Sequence, residues 1–463
     1  MIETLPYINT LRKSLGPCRE AYVVGGTVRD LILNRESRDY DVALIGDPFS
    51  IARGFANTIR GAFVVLHERF PTARVVKGDC IFDFTSLRGG SIADDLLSRD
   101  FTANAIAVSI FDSSDLTDVT GGLSDIEHKV IRMVSKDNLA DDPVRLLRAL
   151  RFAAELGFTI EQATLDAVRA LRGLISGSAA ERLWAELKML FLARNSSAVV
   201  RSACGTGLLF ELIPELERLR GLLQNRHHHL DAFGHTMAAY QEAESIINNP
   251  RLPFSENFQF WLKTSAQKIA MVKLSVLLHD IGKYRTVEHM ADGHISFYRH
   301  ENEGTEIVRT ILARFKASVK ETDLAAALVK NHMRISAFKQ DGGNWLNSMK
   351  KALIRLLNAV GEDIYAHVIV WIADAAAKPE GSDETIGICK GILEFYEHEY
   401  LPRKTAPRYI TGRDLIETFG LVPSPVFSEI LGAIELQTLE GLIDSKDKAA
   451  SMVDELLRAR GMR

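Results

Sequence analysis

The 463-residue chain has few cysteines, no long apolar run and little net charge. Its four cysteines, Cys18, Cys80, Cys204 and Cys389, are widely spaced, which argues against a disulfide framework and a cysteine zinc site and favours a reducing cytoplasm. No uninterrupted apolar stretch reaches the roughly 18–20 residues that cross a bilayer. The first residues lack the features of an export signal. We therefore expect a cytoplasmic protein without a membrane partner.

The charge and composition leave the partner open. A formal net charge of −4 neither indicates nor excludes nucleic acid, because phosphate contacts need only a local basic face. Strand and helix signals alternate up to about residue 136, with β-prone runs at residues 21–24, 41–45, 63–66 and 81–84. Beyond residue 141 the apolar spacing is helical almost to the end. The sequence predicts an α+β protein, with a small head built on a mixed or antiparallel sheet and a long all-helical body.

Glycines and acids lie close together near the start of the head. Gly25 and Gly26 follow a predicted strand, and glycine at a helix start suits a phosphate, although a plain turn has the same sequence. Asp39 and Asp41 project from one face of the next strand, where a cation such as Mg²⁺ would offset their repulsion. Asp83, on a later strand, could supply a third carboxylate. The pattern favours two-metal phosphoryl transfer over a solvent-facing strand.

Another group of polar residues opens the helical part. Asp142 precedes Pro143, and Arg145 and Arg148 follow at three-residue intervals on one helix face. A carboxylate beside a guanidinium pairs with the amino group and ring nitrogen of cytosine or adenine. Uracil or guanine would leave polar groups unpaired. A helix cap without a binding role is the alternative.

Six motifs occur in an order that is typical of one known family. They are GGTVRD from Gly25, RDYDVAL from Arg38, SRDFTANAIA from Ser98, DVTGG from Asp118, DDPVRLLRALRFAAELGF from Asp141 and ERLWAEL from Glu181. Between residues 25 and 187 the chain therefore resembles the class II tRNA nucleotidyltransferase and bacterial poly(A) polymerase family. The resemblance implies transfer of nucleotides from CTP, and in some members ATP, to a tRNA 3′ end.

The resemblance also implies roles for the matching residues of the head. Asp39 and Asp41 correspond to the catalytic pair that binds Mg²⁺, and we assign Asp83 to the catalytic group with them. The residues implied in nucleotide binding are Gly25, Gly26, Arg29, Asp30, Arg99, Asp100 and Asn104.

The matching helix implies how the base is chosen. Asp142 and Arg145 correspond to the positions with which the family selects C and A without a nucleic-acid template. Asp141 stands where relatives usually have glutamate. We assign Arg148 and Arg151, farther along the same motif, to the nucleotide site as well.

The length of one loop indicates which nucleotides are added. Only residues 88–98 separate the end of the Asp83 strand from Arg99. Full CCA-adding relatives usually carry a longer flexible loop there, and relatives that add only two cytidines are shortened at this point. We therefore expect a CC-adding enzyme. The alternatives are full CCA addition, A addition and polyadenylation.

The body resembles the HD phosphohydrolase domain through its His…His-Asp…Asp spacing. The counterparts of the metal ligands are His235, His279, Asp280 and Asp374. Imidazole with carboxylate suits Mn²⁺, Ni²⁺, Fe²⁺ or Zn²⁺, and a metal-bound water could attack a phosphate ester. His300 and His332 either complete a binuclear site or shape the pocket, and any one of these histidines alone is more often a core or surface residue.

We expect four parts: a nucleotidyltransferase head at 1–137, a base-recognising neck at 138–225, an HD domain at 226–380 and a helical tail at 381–463. Basic residues of the tail either read tRNA phosphates or are ordinary surface charges. They are Arg403, Lys404, Arg408 and Arg413. Two further interpretations are an HD phosphohydrolase with a vestigial head and a catalytically silent RNA-binding protein.

Overall fold

The computed structural model describes residues 2–462 except 17–19, 68–70, 113, 225–229, 250–253, 292 and 339–344. Cys18 lies outside the described residues. The chain divides into two compact units, Met1–Pro214 and Glu215–Arg463. The division into four parts stays a prediction.

A seven-stranded mixed sheet forms the centre of the first unit, in the order β3-β4-β5-β2-β1-β6-β7. The strands are β1 Ala21–Val24, β2 Asp39–Leu44, β3 Ala62–His67, β4 Thr72–Lys77, β5 Cys80–Ser86, β6 Ile106–Ser109 and β7 Leu116–Asp118. β2 and β5 run parallel, and the other neighbouring pairs run antiparallel. The sequence prediction of a mixed sheet in the head is confirmed.

Helices cover the sheet and continue beyond it within the first unit. They are α1 Ile8–Ser14, α2 Gly26–Ile32, α3 Pro48–Ile59, α4 Ile92–Leu97, α5 Gly122–Glu127, α6 Lys136–Asp141, α7 Val144–Leu156, α8 Gln162–Leu171, α9 Ala180–Leu192, α10 Ser196–Thr206 and α11 Leu208–Leu212. Two short parallel strands, β8 Val130–Ile131 and β9 Thr159–Ile160, lie outside the main sheet.

An aromatic core decides which face of the sheet is left for polar chemistry. The rings of Tyr40 and Phe82 stack with centroids 4.8 Å apart, and Phe55 of α3 meets Phe82 at 5.0 Å. Phe84 packs against Phe55 at 5.6 Å. Because side chains alternate along a strand, the acids next to these aromatic residues in sequence project from the opposite face.

Within its described residues, the second unit is helical apart from one antiparallel pair of short strands, β10 Glu288–His289 and β11 Ile295–Ser296, which the all-helical prediction missed. Its helices are α12 Ala232–Asn248, α13 Glu256–Thr264, α14 Ala266–Leu278, α15 Lys283–Thr286, α16 His300–Arg314, α17 Val319–Asn331, α18 Trp345–Ser348, α19 Lys350–Val360, α20 Ile364–Ala376, α21 Asp383–Phe395, α22 Leu401–Thr405, α23 Gly412–Glu417, α24 Pro425–Glu440 and α25 Lys446–Ala459. A two-residue strand pair is too short to leave an alternating pattern in sequence.

One apolar segment of this unit satisfies the length and composition of a membrane span. It is Lys350–Ala376, which contains α19 and α20, and most of it is buried within the unit. Trp371 of α20 is fully buried and donates a hydrogen bond from Nε1 to the Asn331 carbonyl at 3.0 Å. Burial of this kind is the ordinary condition of a core helix.

We predict that Gly122→Ala destabilises the protein by about 1–3 kcal/mol, because overpacking cannot be relieved against backbone. A Cβ at residue 122 would lie 2.1 Å from the Thr102 carbonyl oxygen. Gly54→Ala is the matched control, since Gly54 lies in α3 with nothing within 4 Å of a Cβ, and alanine there favours the helix. Urea unfolding gives the free energy of unfolding of each variant. An equal loss of stability in the two variants would contradict the steric explanation.

Candidate active site and candidate metal centre

Three carboxylates lie close together on adjacent strands, and we call them the acid row: Asp39, Asp41 and Asp83. Asp39 and Asp41 leave the same face of β2, and Asp83 on β5 is the register partner of Asp41. Desolvation by burial, together with the charges of Asp83 and Asp39, raises the pKa of Asp41 to about 6, although the Arg99 charge opposes the shift. A cluster of this kind is relieved by a divalent cation, and its oxygen donors fit Mg²⁺.

Gly25 allows Asp41 and an arginine to approach the backbone closely. Its φ is +72°, and a Cβ there would lie 2.9 Å from Asp41 Oδ2 and 2.9 Å from Arg99 Nη1. A side chain would therefore be strained by the backbone and would crowd the acid row. Gly26 begins α2, and a Cβ there would meet the Arg29 guanidinium only at ordinary contact distance. Of the two glycines, Gly25 is the one whose site requires glycine.

A cavity of about 930 Å³ borders the acid row at Asp41, whereas Asp39 and Asp83 do not line it. Among the residues predicted to act there, those in its wall are Asp41, Arg99, Asp100, Asp142, Arg145 and Arg148. Arg88 and Arg182 also line it, and the sequence interpretation assigned neither of them a role. Ten cationic or anionic side chains line this space, which suits a charged ligand larger than a single ion.

Asp100 fixes one side of this cavity. Arg148 donates from Nε to Asp100 Oδ2 at 2.8 Å, and Asn104 donates from Nδ2 to Oδ1 at 3.1 Å. Although burial opposes it, the charge of Arg148 and these hydrogen bonds lower the pKa of Asp100 to about 2. Asp100 is therefore ionised at neutral pH and holds Arg148 in place at the wall.

Several predicted nucleotide-binding residues support the wall from behind. Arg29 donates from Nη1 to Asn104 Oδ1 at 2.7 Å and from Nε to Asp30 Oδ1 at 2.9 Å. Arg151 donates from Nε to Glu186 Oε2 at 2.6 Å. Among the described residues, Arg29, Asp30, Asn104 and Arg151 are absent from the cavity wall. Their direct contact with a nucleotide stays a prediction.

The ring of Phe152 packs against three arginine side chains. The guanidinium carbons of Arg29 and Arg148 each lie 5.0 Å from the centroid of Phe152, and that of Arg151 lies 3.9 Å from it. Glu186 accepts from Arg151 and lies 3.4 Å from Arg148. The sequence interpretation missed Phe152 and Glu186, although both stand inside quoted motifs.

Asp142 and Arg145 meet at the far wall of the cavity. Arg182 donates from Nη2 to Asp142 Oδ2 at 2.7 Å, and Arg145 Nε lies 3.9 Å from the same oxygen. Arg145 donates from Nη1 to the Ser98 and Asn138 carbonyls, at 3.1 Å each. No described side chain caps α7, so the alternative of Asp142 as a helix cap is wrong. The carboxylate is held by an arginine and faces the cavity.

The second unit contains a buried group that we call the histidine cluster. Its members are His235, His279, His300, His332, Asp280 and Asp374. His235 Nε2 lies 3.0 Å from Asp374 Oδ1 and 3.3 Å from His279 Nε2, and both imidazoles approach Asp280 Oδ2, at 3.6 and 3.3 Å. The four predicted ligands come together on α12, α20 and the end of α14.

The other two histidines face the remaining oxygen of Asp280. His300 Nε2 and His332 Nε2 lie 3.3 and 3.7 Å from Asp280 Oδ1 and 3.2 Å from each other. Their Nδ1 atoms contact the carbonyls of Phe297 and Val329, at 2.9 and 2.6 Å. A carbonyl only accepts, so each Nδ1 carries a proton, and in a neutral ring Nε2 is then the nitrogen that can bind a metal.

His332 is in the protonation state that binds a metal ion. Burial, together with the charges of His279 and His300, lowers the pKa of His332 to about 3, so this ring is neutral, which is the form that binds metals. The Nδ1–carbonyl contacts are the outer support usual for a metal-binding histidine. The donor set therefore fits a divalent transition-metal ion, with Asp280 able to serve two positions.

The basic residues of the tail each have an acidic partner. Arg403 pairs with Glu399 at 3.0 Å and Arg413 with Glu417 at 2.7 Å. Lys404 and Arg408 both pair with Glu435. The predicted contact of these residues with tRNA phosphate stays a prediction, and it would require exchange of these ion pairs.

Family models match three parts of the chain. They are the poly A polymerase head domain at residues 21–92 and 89–132, the probable RNA and SrmB-binding site of polymerase A at 157–219, and the HD domain at 233–370. The matches cover the sheet with the acid row, part of the helical region after α7, and the histidine cluster up to His332.

Curated relatives match over nearly the whole chain. The A-adding tRNA nucleotidyltransferase of Deinococcus radiodurans is 32% identical over 445 residues, covering 94% of this chain and 94% of its own length. The CC-adding tRNA nucleotidyltransferase of Thermus thermophilus is 29% identical over 441 residues, covering 94% and 93%.

A solved structure shares the fold. The Thermotoga maritima CCA-adding enzyme, complexed with tRNA, aligns with a TM-score of 0.63 and 21% identity. The alignment covers 97% of this chain and 94% of that one.

We predict that nucleotide incorporation at low Mg²⁺ falls as the pH drops below about 6, the pKa of Asp41, because the protonated acid cannot hold the ion. Since Mg²⁺ competes with the proton, a higher Mg²⁺ concentration should move this acid limb to lower pH. Incorporation rates at two Mg²⁺ concentrations measure the effect. If the pH of the acid limb did not change with Mg²⁺ concentration, Asp41 would be excluded as the titrating group.

Proposed function

Because the chain belongs to the family of CCA-, CC- and A-adding tRNA nucleotidyltransferases, we propose that it adds two cytidine nucleotides from CTP to the tRNA 3′ end and then stops. The observation that supports CC addition is the short connection between β5 and α4, residues 87–91. Relatives of both CC-adding and A-adding type match over the same length, so identity does not decide between them. Relatedness along the whole chain disfavours polyadenylation, a silent RNA-binding protein and a vestigial head.

The connection is short and is held against the start of α4. Gly89 and Gly90 have φ of +69° and +87°, and a Cβ on Gly89 would lie 2.4 Å from Asp94 Cβ. Ser91 caps α4 by accepting from the Asp94 amide at 3.2 Å. A five-residue connection whose last residue caps the following helix has little freedom to refit the cavity from C to A.

The reaction joins the terminal ribose oxygen to the α-phosphorus of CTP, with loss of the hydroxyl proton and release of pyrophosphate. Asp39 and Asp41 would hold Mg²⁺, which when bound lowers the pKa of the attacking hydroxyl and neutralises charge on the leaving group. Arg88 and Arg99 in the cavity wall bind the triphosphate. Asp142, fixed by Arg182, and Arg145 present an acceptor beside donors to the base.

We predict that tRNA lacking CCA, incubated with CTP and ATP, gains two C residues and no A. Mass spectrometry of the intact tRNA counts the added nucleotides. A substrate that already ends in CC tests A addition separately, and the Asp39→Ala/Asp41→Ala variant provides the blank. Incorporation of A after CC would refute CC specificity while leaving the nucleotidyltransferase assignment in place.

We also propose that the histidine cluster hydrolyses phosphate esters with divalent metal ions. A cavity of about 410 Å³ opens beside Asp280, His300 and Asp374. Lys283 donates to Asp280 Oδ2 at 2.6 Å and Lys378 to Asp374 Oδ2 at 2.8 Å, and both lysines line this cavity. Two ammonium groups beside the donor set suit the oxygens of a phosphate.

We predict that the protein retains two Mn²⁺ or Ni²⁺ ions in this unit, and that chelation abolishes phosphatase activity. His279→Ala should abolish the hydrolysis, whereas His300→Ala/His332→Ala should reduce the metal content to one ion. Elemental analysis after dialysis gives the stoichiometry, with exposed His289→Ala as the matched control. CC addition should persist in all these variants, and a wild-type content of zero would refute the proposal.

A further inference from the structure

A cation that the sequence interpretation did not single out lies at the end of the acid row. Arg74 on β4 is the register partner of Asp83 on β5, and Asp83 is in turn the register partner of Asp41 on β2. Directly opposed residues on neighbouring strands share a face of the sheet. The three side chains therefore stand next to one another, with the guanidinium at one end and Asp41 at the other.

Arg74 engages both oxygens of Asp83. It donates from Nε to Oδ1 and from Nη2 to Oδ2, at 2.8 Å each. A bidentate fork of this kind is among the stronger and more directional polar contacts in proteins. In contrast, no described side chain donates a hydrogen bond to the carboxylate of Asp39 or Asp41.

The members of the acid row therefore differ in what they can offer a metal ion. Asp39 and Asp41 carry charge that no described side chain pairs directly, whereas Asp83 already has a fixed counter-ion and two committed oxygens. If Asp83 also bound a metal ion, Arg74 would lie beside a divalent cation, which like-charge repulsion disfavours. The sheet register, which sets Arg74 opposite Asp83, maintains this difference.

We propose that Arg74 is a positioning residue that keeps Asp83 out of metal coordination, so that Asp39 and Asp41 alone hold Mg²⁺ in the head. The proposal replaces the sequence expectation of Asp83 as a third catalytic carboxylate. It rests on the proposed transfer reaction only in assigning Mg²⁺ to this face of the sheet. Arg74 acts through Asp83 and touches no reacting atom.

Calorimetric titration of Mg²⁺ into the full chain tests this without tRNA or CTP. The histidine cluster is first filled with Ni²⁺, which imidazole prefers over Mg²⁺, and excess metal is removed. We expect Arg74→Ala to raise the Mg²⁺ affinity at least fivefold, since the released Asp83 joins the ligands. Arg74→Ala/Asp83→Asn should return to the wild-type affinity, and Asp83→Asn alone should change it less than threefold.

Asp41→Asn sets the scale for a true ligand and should weaken binding more than tenfold. Arg38→Ala is the matched control, because it breaks the exposed ion pair with Asp79 and should leave the affinity unchanged. If Arg74→Ala does not fold, Arg74→Lys keeps the charge without the fork and should raise the affinity by a smaller factor. A tenfold loss in Asp83→Asn, or no gain in either Arg74 variant, would overturn the proposal.

Discussion

The head depends on one constraint, which is that a pair of parallel strands holds like charges at fixed positions. β2 and β5 place Asp41 beside Asp83, and the period of two along β2 adds Asp39 to the same face. The opposite face cannot accept these acids because Tyr40, Phe82 and Phe55 fill it. The sheet thus concentrates negative charge at one place, where cations must offset it.

The arginines that offset this charge come from different secondary-structure elements, and each is held by its own partners. Arg74 reaches Asp83 from the neighbouring strand, while Arg148 is fixed by Asp100 and by the ring of Phe152. These arginines are held before any ligand arrives, so the ordering cost is met in folding and not at binding. In the proposed reaction, a metal ion and a triphosphate would enter a site whose protein charges are already in place.

The second unit applies the same physics with nitrogen donors. Backbone carbonyls accept from Nδ1 of His300 and His332, and the Nε2 atoms of the two rings face each other at 3.2 Å. A metal ion bound by these nitrogens would stabilise the arrangement. Both units thus bring together groups that can hold a metal ion, and we relate the two proposed activities to such ions.

The sequence by itself determined the α+β class, the family and the acids of the active face, because strand alternation and motif order are local properties of the chain. It also indicated four members of the histidine cluster. Only the tertiary structure decided the partners: Arg74 for Asp83, Arg182 for Asp142, and Phe152 as the platform for Arg29. Such pairs are set by strand register and helix packing, which bring residues 9 to 123 positions apart into contact, and no local pattern records them.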